Sequence, residues 1–278
     1  SVAVGEGPGP ARARAARTNI TTRGSSYYWP EARGHPEQYG VSALAAPRRL
    51  PNSLAWQWSA PEGESSLNGL VADGEGRLFL AATDGVRAFG PGGALLWQHP
   101  LRTSRLPCLA DGALYVTDDG GSLAALGMET GALLWSRRYT RALGGDVSGL
   151  GVSEGVVVAA SRGHPGGGAS HVAGLDAADG RTLWEHRADA QLWGFMPVFT
   201  DRGTVVFQDQ IGGVYSLHVA NGTRLWKAGY SGDSGDHFTD GRAAYGNGLV
   251  YAVHSDGAAL SATQTSNLRA YDARDGRL

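Results

Sequence analysis

The chain has 278 residues and a formal net charge of −2, with 42% hydrophobic residues, enough for one large domain or two small ones. The near-neutral balance argues against a general nucleic-acid binder, and no apolar run approaches the roughly 18 residues that a membrane span needs. Cys108 is the only cysteine, which excludes an intrachain disulfide, and 43 glycines point to a fold with many hairpins.

Residues 1–26 are rich in Gly, Ala, Pro and Arg and show no hydrophobic period. They read as a disordered or extended tail. The run Ala11-Arg-Ala-Arg-Ala-Ala-Arg17 is basic and acid-free, in keeping with a targeting remnant or a plain basic tail. A first residue of Ser rather than Met suggests a presequence or a clipped start. Asn19-Ile20-Thr21 and Asn221-Gly222-Thr223 fit the glycosylation sequon. The second falls in a hairpin turn, where Asn-Gly already answers to backbone geometry.

Residues 27–51 form a second unit. It contains Trp29-Pro30, Arg33-Gly34, Pro36 and Gly40, an aromatic, Pro-stiffened segment expected to lie across the rest of the molecule. A lone strand at 54–58 follows. From residue 52 to 278 the chain is repetitive. Residues 106–139 show the unit most clearly. ALYVT, SLAALGM and ALLWSRRY are strands, DDGG and ETG are turns, and an apolar lead-in supplies a fourth strand. Similar four-stranded units span 69–101, 150–188 and 196–230, and a fifth begins near Ala243. The third unit carries the insertion RGHPGGGASH between its second and third strands, and the fifth carries SDGAALSATQTSN at the same place.

Gly-x-x-x-Trp recurs at Gly93–Trp97, Gly131–Trp135, Gly180–Trp184 and Gly222–Trp226, with Asn52–Trp56 as an earlier copy. A glycine in a two-residue hairpin turn tolerates positive φ. Four strands repeating at roughly forty residues predict an all-β fold, a β-propeller of four-stranded antiparallel blades.

The opening segment W-P-x-x-R-G-x-P-x-x-x-G, followed by a strand ending in Trp and then G-x-x-x-W repeats, resembles the PQQ-repeat (quinoprotein-like) propeller family over residues 27–278. The resemblance implies seven or eight blades, so the five visible repeats read as part of a longer ring. The alternative is a closed five-blade ring in which the N-terminal strand at 54–58 completes the last blade. The resemblance also implies that Trp56, Trp97, Trp135, Trp184 and Trp226 dock between neighbouring blades, a structural role.

In a four-stranded blade, the loop between second and third strands shares one face with the blade-to-blade connections. Both insertions and the long connections fall there, which makes this the candidate partner-binding face. Its candidate residues are the basic patch Arg137, Arg138 and Arg141, then His164 and His171 around the Gly-rich insertion, and Trp193 in the third connection. Asp233, Asp236, His237 and Asp240 complete the set, in a loop able to ligate a hard cation or simply solvated.

The family's alcohol dehydrogenases are implied to need calcium ligands, a catalytic Asp and an adjacent pair of cysteines. Cys108 stands alone, in an apolar strand, and reads as a small buried hydrophobe. The chain is therefore assigned to the non-enzymatic branch, without cofactor. Its expected role is a scaffold for a protein partner within a larger assembly, with no nucleic acid, no transmembrane segment and an extracytoplasmic setting. One resembling group is the outer-membrane assembly lipoprotein of bacteria, whose lipid-bearing cysteine has no counterpart here. The competing readings are a fragment of a quinone- and calcium-dependent dehydrogenase and a carbohydrate-binding propeller.

Overall fold

The computed structural model describes residues 29–31, 33–38, 40, 54–60, 67–140, 149–161, 170–230, 237–239, 242–256 and 265–278. These residues form five antiparallel sheets and no helix. The first sheet is β1 (Leu67–Ala72), β2 (Leu78–Ala82), β3 (Gly85–Phe89) and β4 (Leu95–His99). The second is β5 (Cys108–Ala110), β6 (Ala113–Thr117), β7 (Ser122–Gly127) and β8 (Leu133–Arg138). The third is β9 (Leu150–Ser153), β10 (Val156–Ser161), β11 (His171–Asp176) and β12 (Thr182–Arg187). The fourth is β13 (Val198–Phe199), β14 (Thr204–Gln208), β15 (Gly213–His218) and β16 (Arg224–Gly229). In all four the strands pair in chain order, as a meander.

The burial of each strand explains its composition. The second strands β6, β10 and β14 are buried at every position, because each lies mid-sheet with a neighbouring sheet packed on it. That is why ALYVT and VVVAAS read as near-continuous apolar runs. The fourth strands β4, β8 and β12 bury only their tryptophan. Each fourth strand, β16 included, contains a register shift beside its tryptophan, so the preceding leucine has no partner of its own. Such a bulge turns the indole inward and leaves Leu96, Leu134, Leu183 and Leu225 exposed. Four apolar clusters hold the molecule together. Each lies between consecutive sheets and contains one of Trp97, Trp135, Trp184 and Trp226.

The fifth sheet differs. β17 (His237–Phe238) and β18 (Ala243–Gly246) lie end to end along one edge of β19 (Leu249–Asp256), and β20 (Thr265–Asp272) pairs along its other edge. β19 and β20 pair over eight residues each, from Leu249↔Asp272 to Asp256↔Thr265. The insertion expected at 255–267 is thus partly strand, and only 257–264 lies outside the described residues. Residues 54–60 form no strand, and β20 pairs with β19 alone. Among the described residues, the closure of the last blade by residues 54–58 is therefore not formed. No helix among the described residues is long and apolar enough to cross a membrane.

Candidate binding face

The register places the ends of the fourth strands beside the starts of the third. Arg138 faces Ser122, Arg187 faces His171 and Gly229 faces Gly213. The blade-to-blade connections therefore leave from the side of the loops between second and third strands. Hydrogen bonds join the two sets across blades. Ser104 N–H donates to Asp119 Oδ1 at 3.2 Å, Gln210 N–H to Gln191 O at 2.8 Å, and Thr239 N–H to Gln210 O at 2.8 Å.

Arg137 and Arg138 end β8 and are exposed. Arg138 donates through Nη2 to Gly120 O (2.9 Å) and through Nε to Thr140 O (3.2 Å), while Arg137 Nη1 reaches only Ser136 O (3.0 Å). His171 opens β11, with its side chain exposed. It lines a cleft of about 190 Å³ with Tyr139, Thr140, Ser161, Ala173 and Glu185. Tyr139 donates its hydroxyl to Ala160 O at 3.1 Å, and burial pushes its ionisation to higher pH. The cleft spans the second and third blades, so it joins His171 to residues the sequence did not single out. A hydroxyl, an imidazole and a carboxylate there can accept and donate hydrogen bonds to a polar guest.

Trp193 is half-buried and donates from Nε1 to Gln191 Oε1 at 2.9 Å. Its neighbours Leu192 and Phe195 are fully buried, Phe195 against Phe207. The same connection is fixed by Lys227, the only lysine. Its ammonium pairs with Asp189 and stands 5.1 Å from the centre of the Tyr215 ring. The hydrogen bond from Lys227 holds the Asp189 carboxyl below its ordinary value. Tyr215 donates its hydroxyl to Asp209 Oδ2 at 2.7 Å, and Asp209 Oδ1 accepts from Gly213 N–H at 2.7 Å. Burial nevertheless raises Asp209. His237 opens β17, and Arg141, His164, Asp233, Asp236 and Asp240 lie outside the described residues. Among the described residues no group of three or more His, Cys, Asp or Glu could hold a metal ion.

The tryptophans use their indole N–H groups uniformly. Trp97 donates to Met128 O, Trp135 to Ala177 O, Trp184 to Val219 O and Trp226 to Ala273 O, at 2.7–3.0 Å, each carbonyl belonging to the next blade. Trp56, outside any strand, donates to Pro91 O at 3.0 Å and stacks on Phe89.

A second polar cluster lies at the centre of the molecule. Residues 29–31 and 33–38 run across the first strands of all five blades. Trp29 and Ala72 exchange both backbone hydrogen bonds, at 3.0 and 2.9 Å. The N–H groups of Leu109, Phe199 and Tyr245 donate to Pro30 O, Pro36 O and Glu37 O at 2.8, 2.9 and 3.0 Å. Glu31 is buried beneath this segment. Its Oε1 accepts from Cys108 Sγ (3.6 Å) and Val152 N–H (3.4 Å), and its Oε2 from Gln38 Nε2 (3.0 Å). Burial pushes the Glu31 carboxyl up to about 8, against the opposing hydrogen bonds from Val152 and Cys108. The Cys108 thiol is raised by the same burial and by Glu31. The only signal in the sequence was a carboxylate set between Pro30 and an otherwise aromatic, Pro-rich stretch.

Comparison with known proteins agrees with this architecture. A family model described as outer membrane protein assembly factor BamB matches residues 82–277. The outer membrane protein assembly factor BamB of Nitrosomonas eutropha is 31% identical over 135 residues, 47% of this chain and 30% of that protein. The Yersinia pestis protein of the same name is 26% identical over 191 residues, 62% of this chain and 45% of that protein. The chain spans less than half the length of these curated relatives. Among solved structures, the quinohemoprotein alcohol dehydrogenase of Comamonas testosteroni superposes with a TM-score of 0.64. It is 15% identical, over 89% of this chain and 48% of that one, a likeness of fold alone.

Proposed function

The chain belongs to the PQQ-repeat propeller family whose model is described as outer membrane protein assembly factor BamB, and from that membership we propose that it is a non-catalytic scaffold binding a protein partner through its insertion-bearing face. One observation carries the choice of face. The connections and the loops between second and third strands interlock on one side, and there Arg138 is exposed and the exposed His171 and Glu185 line the cleft. A rigid stack of sheets holding variable loops on one side is the usual basis of a binding surface. The relatives' name supports a partner among components of outer membrane protein assembly and a setting outside the cytoplasm.

The residues do not fit a quinone site of the kind the dehydrogenases imply. Cys108 has no neighbouring cysteine, and its buried thiol is engaged by Glu31 under the chain's own N-terminal segment. No step is therefore assigned to such a cofactor.

Site-specific photo-cross-linking in the native host tests the reading. A cross-linker at Arg138 or His171 is expected to capture one protein partner stoichiometrically, and one at Ala178, on the opposite hairpins, is not. Equal capture at Ala178 would overturn the choice of face. Dye-linked alcohol oxidation by the purified full-length protein would overturn the non-catalytic assignment.

A further inference from the structure

We propose that residues 29–38 are a proton-locked strap: Glu31 seats it on the first strands as a neutral carboxylic acid, and loss of that proton unseats it. Among the described residues the strap is the one segment that touches the first strand of every blade, so its seating affects the centre of the whole molecule. Glu31 is its deepest side chain, 1% exposed, and its hydrogen-bond partners are an amide, a thiol and a backbone N–H. None carries positive charge, and a buried carboxylate without a cation is strongly disfavoured.

Among the described residues, the other groups around it do not supply one. Cys108, from β5, is itself an acid, and Glu37, in the strap, adds negative charge. From β9 come Gly151 and the Val152 amide, and from β13 the apolar ring of Phe199. Arg33, in the strap, and Arg242, ahead of β18, act on each other.

Gln38 shows that the seat is under tension. Its φ is 60°, in the left-handed region, which side-chain-bearing residues seldom adopt. Its Oε1 is buried with no hydrogen-bond partner, while Nε2 holds Glu31. The amide can present either end to the carboxyl, so Oε1 can accept the proton of a neutral acid. An ionised Glu31 removes that option and needs water, which reaches it when the strap lifts.

Hydrogen exchange of the full-length protein tests this at Leu109, Phe199 and Tyr245, whose amides donate to strap carbonyls. Rates corrected for intrinsic pH dependence are expected to rise about tenfold per pH unit between about pH 5 and 8 and to level off above. At every pH these amides should exchange at least about tenfold faster than those of β10, as a local opening requires. The Glu31→Gln variant should show no rise, and Cys108→Ala should keep it. A flat profile in the unmodified protein overturns the proposal whether or not Glu31→Gln folds. So does an unchanged rise in Glu31→Gln, a rise abolished by Cys108→Ala, or equal rates at β10, which would mean that only global unfolding occurs.

Discussion

The indole of Trp135, on the fourth strand of the second blade, lies over Gly180, in the last hairpin of the third: a Cβ on Gly180 would stand 2.5 Å from Trp135 Cε3. The same relation joins Trp56 to Gly93, Trp97 to Gly131, Trp184 to Gly222 and Trp226 to Gly276. The glycine and tryptophan of one G-x-x-x-W thus serve different interfaces. The tryptophan docks forward on the next blade, and the glycine receives the tryptophan of the preceding one.

Gly180→Ala meets both a ring and a φ of +74°. It is expected to cost about 2–4 kcal/mol, the sum of overpacking and left-handed strain. Gly112→Ala supplies the control, since its φ is +78° but nothing lies within 4 Å of the new Cβ. Its cost should be about 1–2 kcal/mol. Urea denaturation of the two variants reads the difference, and equal losses would show that the indole yields freely.

Trp135→Phe keeps most of the apolar area but removes the 2.9 Å donor to Ala177 O, leaving that carbonyl only the Tyr115 hydroxyl at 3.3 Å. A loss of about 1–3 kcal/mol is expected, against about 3–5 kcal/mol for Trp135→Ala. A ratio near one in the same denaturation experiment would mean that the hydrogen bond, not the ring, dominates.

Glu31 gives stability a defined dependence on pH. Its carboxyl titrates near 8 when folded and near 4.5 in an ordinary setting, so between these values the folded chain keeps a proton that the unfolded chain has released. Its contribution is therefore complete below about pH 4.5 and is lost as pH rises through 8. Relative to Glu31→Gln, unfolding free energy should fall by about 1.4 kcal/mol per pH unit across that window. Parallel profiles for the two proteins would place the titrating group elsewhere.

Lys227→Met removes the ammonium that joins Asp189 to the Tyr215 ring. Asp189 is half exposed, so the expected loss is modest, about 0.5–1 kcal/mol. The sharper readout is local: amides of the connection at residues 189–193 should exchange faster while those of β10 do not. Unchanged exchange there would show that Tyr215 and Asp209 hold the connection unaided.

The sequence by itself determined the strand class, the meander and four of the blade boundaries. Those features are local: a two-residue period, a positive-φ turn and an apolar run are each written within ten residues. It also marked the face on which connections and long loops gather, because strand order alone decides that. Only the tertiary structure decided which partners meet. Trp135 and Gly180 belong to different repeats, Glu31 and Cys108 come from a non-repeating segment and a first strand, and His171 joins Tyr139 and Glu185 across a blade boundary. No spacing encodes such meetings, since they depend on how the sheets stack. The bulge before each tryptophan was present in the sequence as the leucine just ahead of it, but its exposure followed only from register. The fifth blade departs furthest from its sequence reading, because polar residues such as Ser255 and Thr265 have the composition of a loop. Backbone pairing in a long hairpin, not their side chains, makes them strand.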